Sequence, residues 1–197
     1  MLLLAHTGIT AGCVWLTGKA APFLRSKKSA SGAGKITSRP LPGNPATSID
    51  YRLLFLGSML PDIIDKPLGL YFLADQLSNG RIYAHTLLFA LLLLLSGFAL
   101  YLAGRNTGGL VLAGGVLAHL VLDGMWDTPH TFLWPLYGFT FDKHPAGDWL
   151  PGIFEALTSE PSVYIPEIIG ALLLLAFFRQ LLRDRRMGEF FKTGHRR

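Results

Sequence analysis

His85–Ala103 reads HTLLFALLLLLSGFALYLA, a run with no Asp, Glu, Lys or Arg in it. A helix needs roughly 20 mainly apolar residues to cross a bilayer core, so this stretch predicts a membrane span. Working outward, Val163–Leu182 is a second span-length apolar run, containing GALLLLAFF and interrupted by Glu167 and Arg179. Three weaker segments complete the pattern: Leu2–Leu24, interrupted by Lys19 and Pro22; Leu53–Leu73, which carries Asp62 and Asp65; and Leu110–Trp126, which carries His119 and Asp123. Their weakness comes from ionisable residues, and a charge inside a bilayer costs several kcal/mol and is usually retained for function.

The rest of the composition agrees with a membrane protein. Of 197 residues, 50% are hydrophobic and only 16% charged, where a soluble domain carries about a quarter charged residues. The expectation is an all-α polytopic membrane bundle of about five membrane-embedded helices with an outer aromatic loop. Residues 1–182 form one domain, with a flexible Ser/Gly/Pro/Lys linker at 25–51 and an outer loop at 127–161. That loop is dense in aromatics and prolines, which predicts an ordered cap or re-entrant structure. Residues 183–197 form a basic tail.

The net charge of +5 comes from 18 Lys and Arg against 13 Asp and Glu. These cations sit in two blocks beside apolar segments without aromatic interleaving, which favours a membrane surface over nucleic acid. A single cysteine, Cys13, excludes an internal disulfide and a thiolate zinc cluster. Met1–Trp15 is apolar and TAGC at 10–13 approaches a lipoprotein cleavage box. No Lys or Arg precedes it, however, and Thr10 stands where a branched aliphatic residue belongs, so His6 is kept in the mature protein.

Orientation follows from Lys and Arg near the spans. Arg25, Lys27, Lys28, Lys35, Arg39 and Arg52 mark the first linker as cytoplasmic. Arg105 marks the turn after the third segment, and Arg179 to Arg197 mark the tail; 127–161 holds only Lys143. With five crossings the amino terminus lies outside and the carboxyl terminus in the cytoplasm. On that topology His6, Asp62, Asp65, His85, His119 and Asp123 all fall in the outer halves of their helices. His119 and Asp123 are four apart and share a helix face, as do Asp62 and Asp65, three apart; Pro61 is placed to open the backbone beside them. Imidazole with carboxylate and no thiolate favours zinc, with manganese or iron as alternatives. The bland readings are a capping or interfacial role for His6 and His85, a helix-end ion pair of Asp65 with Lys66, and a hydrogen-bonded His119–Asp123 pair.

The order of these blocks resembles the YdjM-like, or LexA-binding, family of inner-membrane-bound metal-dependent hydrolases. The early His6, GSMLPDIID at 57–65, GRIYAHTLLF at 80–89 and AHLVLDGMWDTPHTFLWP at 118–135 look like the family's successive blocks. The family's Asp-x-Asp-His differs here, because two residues separate the aspartates and Lys66 follows; the first His of its His-Arg-Gly-x-Thr-His block is absent near Asn79. The ligand order is also distantly similar to that of zinc-dependent phospholipase C.

The resemblance implies metal-assisted hydrolysis of a phosphoester or lipid-linked phosphate. His6, Asp62, His85, His119 and Asp123 are the expected ligands to a divalent metal, with Asp65 or Asp62 as bridge or general base. Arg81 is expected to hold a substrate phosphate through paired donors. His130, in the outer loop, is a further candidate for substrate binding, beside a solvated default that it shares with Asp127 and His144. Trp126, Trp134 and Trp149 are expected at the headgroup level, and membrane lipids are the expected partners. The alternative is a metal-binding membrane protein without turnover, a regulatory or interaction partner. A transporter is disfavoured because the cytoplasmic halves of the spans carry no polar path.

Overall fold

The computed structural model describes residues 3–29, 49–143 and 149–195. Among them are eight α-helices and no strand: α1 (Leu3–Ser29), α2 (Tyr51–Pro67), α3 (Leu87–Gly104), α4 (Gly108–Leu122), α5 (Pro129–Phe132), α6 (Trp149–Ser159), α7 (Pro161–Arg183) and α8 (Met187–Thr193). Local sequence explains several boundaries. Thr86 caps α3, its Oγ1 accepting from the Phe89 N–H at 3.0 Å, and Asp50 caps α2 by accepting from the Arg52 N–H at 2.9 Å. Such caps satisfy amides that have no partner inside the helix.

Two described helices, α3 and α7, are long and apolar enough to cross a membrane. Only 11% and 17% of their apolar windows are buried, which is the reverse of a core helix in a soluble protein. Leu91, Leu95, Leu102, Leu172 and Leu175 point outward and are more than two-fifths exposed; lipid, not protein, is the solvent for such a surface. The shorter α4 is also apolar, whereas α1 and α2 carry the ionisable residues that dilute their hydropathy. Five crossings were expected, and two helices meet the length and composition of a span.

Close backbone approach sets the helix order α7–α1–α2–α4–α3. Any Cβ added at Gly170 of α7 would run into the main chain of Leu4 and Ala5, and one added at Gly8 of α1 would run into Gly170. Likewise a Cβ at Gly115 of α4 would lie 2.7 Å from the Ser58 amide of α2. Small residues at crossings are how helices pack in a membrane, where hydrophobicity gives no drive for helix to find helix. At one end of the bundle Trp15, Tyr51, Phe177, Leu181 and Phe190 form an aromatic-rich core; the ionisable residues gather at the other.

Three sequence expectations change. The linker does not begin at 25, since α1 continues to Ser29; Arg25–Ser29 contains neither Pro nor Gly to stop it, and the remainder of the linker to 48 lies outside the described residues. The helix α2 runs unbroken through Pro61 and extends as a π-helical turn, Leu68–Phe72. The segment 127–161, expected as an ordered cap, holds α5 and α6 among its described residues. The basic tail folds back as α8, because Phe190 is 2% exposed against Phe177 and Phe178 and Arg52 donates to the Phe191 and Lys192 carbonyls at 3.0 and 3.1 Å.

The Gly170 contact yields a prediction. Gly170→Leu forces α1 and α7 apart and should cost about 1–3 kcal/mol, the usual penalty for overpacking, read as a lower melting temperature in detergent. Gly104→Ala, where an added Cβ meets nothing within 4 Å, should not lower it; equal melting of both variants would contradict the packing.

Candidate metal centre

Five side chains from four separate parts of the chain meet at the far end of the bundle. His6 comes from α1, Asp62 from α2 and His119 from α4; Asp123 is the C-terminal cap of α4, and His85 lies in the turn just before the Thr86 cap of α3. His85 is therefore not inside the third helix as its apolar run suggested. The three histidines are fully buried and Asp62 is 7% exposed; the Asp123 side chain is 3% exposed. His6 Nε2 lies 3.2 Å from Asp123 Oδ1. His85 Nε2 lies 3.2 Å from His119 Nε2, 3.6 Å from Asp62 Oδ1 and 3.8 Å from Asp123 Oδ2. The His6 and His119 rings stack with centroids 3.9 Å apart.

The surroundings assign the tautomers. Asp65 is fully buried and accepts from the amides of Ile82, Ala84 and His85 at 2.8 to 3.1 Å. It also accepts from His85 Nδ1 at 2.7 Å, so the His85 proton resides on Nδ1 and the Nε2 lone pair faces inward. His119 Nδ1 lies 2.7 Å from the Ser58 carbonyl, which accepts, so its Nε2 lone pair faces inward too. As neutral rings the two Nε2 atoms, 3.2 Å apart, would repel unless a proton or a metal cation is shared between them. A second ring nitrogen held by carboxylate or carbonyl is the arrangement that orients metal-binding histidines.

A test of fit to a divalent cation gives the same answer. His6 is 0% exposed, its Nε2 faces Asp123 Oδ1 at 3.2 Å without a well-directed hydrogen bond and its Nδ1 has no hydrogen-bond partner, which is costly unless something else satisfies them. One donor atom each from His6, Asp62 and His119 can be chosen so that all lie within 4.8 Å of one another, and the same holds for His85, His119 and Asp123. Nitrogens bound to zinc at about 2.0–2.1 Å in a tetrahedron stand about 3.3 Å apart, close to the His85–His119 separation. The donor set is imidazole and carboxylate, and it suits zinc.

Two basic side chains close the outward side. Lys66 Nζ bonds Asp62 Oδ2 at 2.7 Å and Arg81 Nη2 pairs with Asp123 Oδ2 at 2.8 Å. Their side chains are 27% and 42% exposed, so each joins a buried carboxylate to the surface. The ion pair that sequence placed between Asp65 and Lys66 forms with Asp62 instead, four residues back and one turn away. Arg81 is set by Asn79, whose Oδ1 accepts from the Arg81 amide at 2.8 Å and whose Nδ2 donates to the Asp142 carbonyl at 2.8 Å.

Other expected residues stay apart. His130, on α5, is exposed with its ring tilted on Tyr137 at 5.5 Å, and it is not among the converging groups. His144 and the Trp149 side chain lie outside the described residues. Trp126 is 58% exposed, whereas Trp134 stacks on Phe141 and meets Tyr83 edge-on. Sequence reasoning missed the Ser58 carbonyl, which as a main-chain atom leaves no trace in residue type. It also missed Glu167 of α7, 7% exposed, whose Oε2 accepts from the Leu4 amide at 2.9 Å near the start of the helix that carries His6.

No curated protein and no solved structure significantly matches this chain. The model of one family, described as YdjM inner membrane protein, matches residues 1–185. That match runs from the helix bearing His6 to beyond α7 and includes every converging side chain, and the chain belongs to the YdjM inner membrane protein family.

Proposed function

We propose that this protein is a membrane-bound metal-dependent hydrolase acting on a phosphoester or lipid-linked phosphate. The observation that carries the reading is the pair of inward imidazole nitrogens 3.2 Å apart, each fixed by a partner on its other nitrogen and flanked by Asp62 and Asp123. His6, Asp62, His85, His119 and Asp123 would hold the cation, with zinc favoured over manganese or iron. A divalent ion held there would lower the pKa of a water toward neutrality and offset charge on a phosphoryl oxygen.

The chain's own residues divide the remaining work. Asp65 has its oxygens engaged by three amides and the His85 ring, so it positions His85 and does not act as base or bridge. Asp62 keeps Oδ1 toward His85 and is the better candidate for the base. Arg81 and Lys66 put positive charge at the mouth, where paired guanidinium donors suit a phosphate. Cations at a site opening beside lipid headgroups favour an anionic substrate. The topology that accompanies this reading has the amino terminus and the site outside the inner membrane and α8 in the cytoplasm.

Two measurements test it. Protein purified in mild detergent should carry stoichiometric metal, which His119→Ala and Asp123→Ala abolish and His130→Ala retains. Asp65→Asn should weaken affinity by about 10–100-fold, as loss of a group orienting a ligand does. Undiminished metal in both ligand variants would defeat the assignment. Metal without hydrolysis across a broad panel of phosphoesters and lipids, together with a recovered protein partner, would favour a non-catalytic regulatory metal protein. For topology, trypsin added outside sealed spheroplasts should cut at the exposed Lys143; cleavage solely from the cytoplasmic side would reverse the orientation.

A further inference from the structure

Glu167 is a buried carboxylate, 7% exposed, within the apolar helix α7. An ionisable side chain in such a helix is costly and is usually retained for a function. Its Oε2 accepts from the Leu4 amide of α1 at 2.9 Å, two residues before His6. We propose that Glu167 is a positioning residue for the metal centre: it fixes the rotation and height of α1 so that the His6 imidazole meets His119 and Asp123. Resting on the metal-centre reading above, this extends the centre to a residue outside the five ligands.

The three histidines are not held alike. His85 is fixed from behind by Asp65 and His119 by the Ser58 carbonyl, the outer contacts that orient metal-binding imidazoles. His6 Nδ1 has no such partner among the described residues, so the aim of this ring comes from the helix that carries it. At about 100° per residue, His6 stands roughly 200° round α1 from Leu4. Leu4 meets α7, which turns His6 away from α7 and toward α4, where its ring stacks on His119 at 3.9 Å. A slip of α1 by one residue would swing the ring by about 100° and take it out of the group.

Packing alone does not prevent that slip. Gly8 and Gly170 let the two backbones touch, and a Cβ on Gly170 would run into the Leu4 carbonyl, but contact between small residues has little direction. A hydrogen bond is directional. Glu167 and Gly170 lie three apart on one face of α7, and Leu4 and Gly8 four apart on one face of α1. Both main-chain groups of Leu4 are therefore held, its N–H by Glu167 and its carbonyl against Gly170. That N–H belongs to the first turn of α1, where no helical carbonyl reaches it, so Glu167 caps α1 from another helix. Negative charge also suits a helix N-terminus.

Two variants break the bond from opposite sides. Glu167→Met keeps the side-chain length and removes the oxygens; Leu4→Pro removes the donor and is tolerated in a first helical turn. Zinc competition against a chelator in detergent should show affinity lowered about 10–100-fold by either, the usual loss for a group that orients a ligand. Glu167→Gln keeps an acceptor and should stay within threefold of wild type. In a His6→Ala background Glu167→Met should cost no more than twofold further, because the ligand it aims is gone. Wild-type affinity in both bond-breaking variants, an additive loss in the double variant, or Glu167→Gln as weak as Glu167→Met overturns the proposal. A readout without metal separates the two readings. In chelator-treated protein, diethyl pyrocarbonate should modify His6, followed by peptide mapping, at least fivefold faster in Glu167→Met and Leu4→Pro than in wild type or Glu167→Gln. Wild type that binds no zinc yet shows this pattern loses the metal centre and keeps Glu167 as the group that aims His6. Zinc-loaded wild type with equal His6 rates in all four proteins keeps the centre and overturns the role of Glu167.

Discussion

The arrangement depends on two imidazole nitrogens facing each other across 3.2 Å with no water-rich surroundings to separate them. In solution such a contact relaxes by ring rotation. Here each ring is held from behind, His85 by Asp65 and His119 by the Ser58 carbonyl, so the contact is relieved only by a proton or a metal cation shared between the two nitrogens. Low local dielectric makes both the repulsion and its relief larger than at a surface.

Holding the rings requires the helices to be close. His119 lies one turn beyond Gly115, and Gly115 brings α4 against α2 where Ser58 offers its carbonyl. His6 depends in the same way on Gly8 and Gly170, which bring α1 onto α7. Asp65 binds a turn instead of a helix: by accepting the amides of Ile82, Ala84 and His85, it satisfies backbone groups that a non-helical segment at this depth would otherwise leave unpaired. One buried carboxylate therefore shapes the turn and aims the histidine at its end.

These relations differ in how far the residues alone reveal them. The apolar runs of α3 and α7 were legible because span length is read directly from composition. The shared face of His119 and Asp123 was legible because helical spacing is local. The gathering of His6, Asp62 and His85 about that pair was also anticipated, from Lys and Arg placement and not from the histidines. What stayed hidden was long-range or main-chain: Asp65 as the anchor of residues 82–85, the Ser58 carbonyl, and the docking of Phe190 from a segment whose charges suggested a solvated tail. Arg81 was legible as a cation at the mouth, but its pairing with Asp123 was not, since nothing local connects residues 42 positions apart.

The pairing of Lys66 and Arg81 with the two outer carboxylates bears on what the centre can accept. Among the three aspartates and these two basic side chains the formal sum is one negative charge, with the histidines neutral. Two aspartates and three imidazoles without those cations would take a divalent ion and finish neutral, with little attraction for an anion. With them present, and Asp65 set aside because its oxygens are spent on amides, adding a divalent ion would leave the group two charges positive, and both basic side chains extend from buried carboxylate to surface. In a medium that screens poorly, that excess would draw an anion toward the mouth more strongly than the same charges would at a solvated surface.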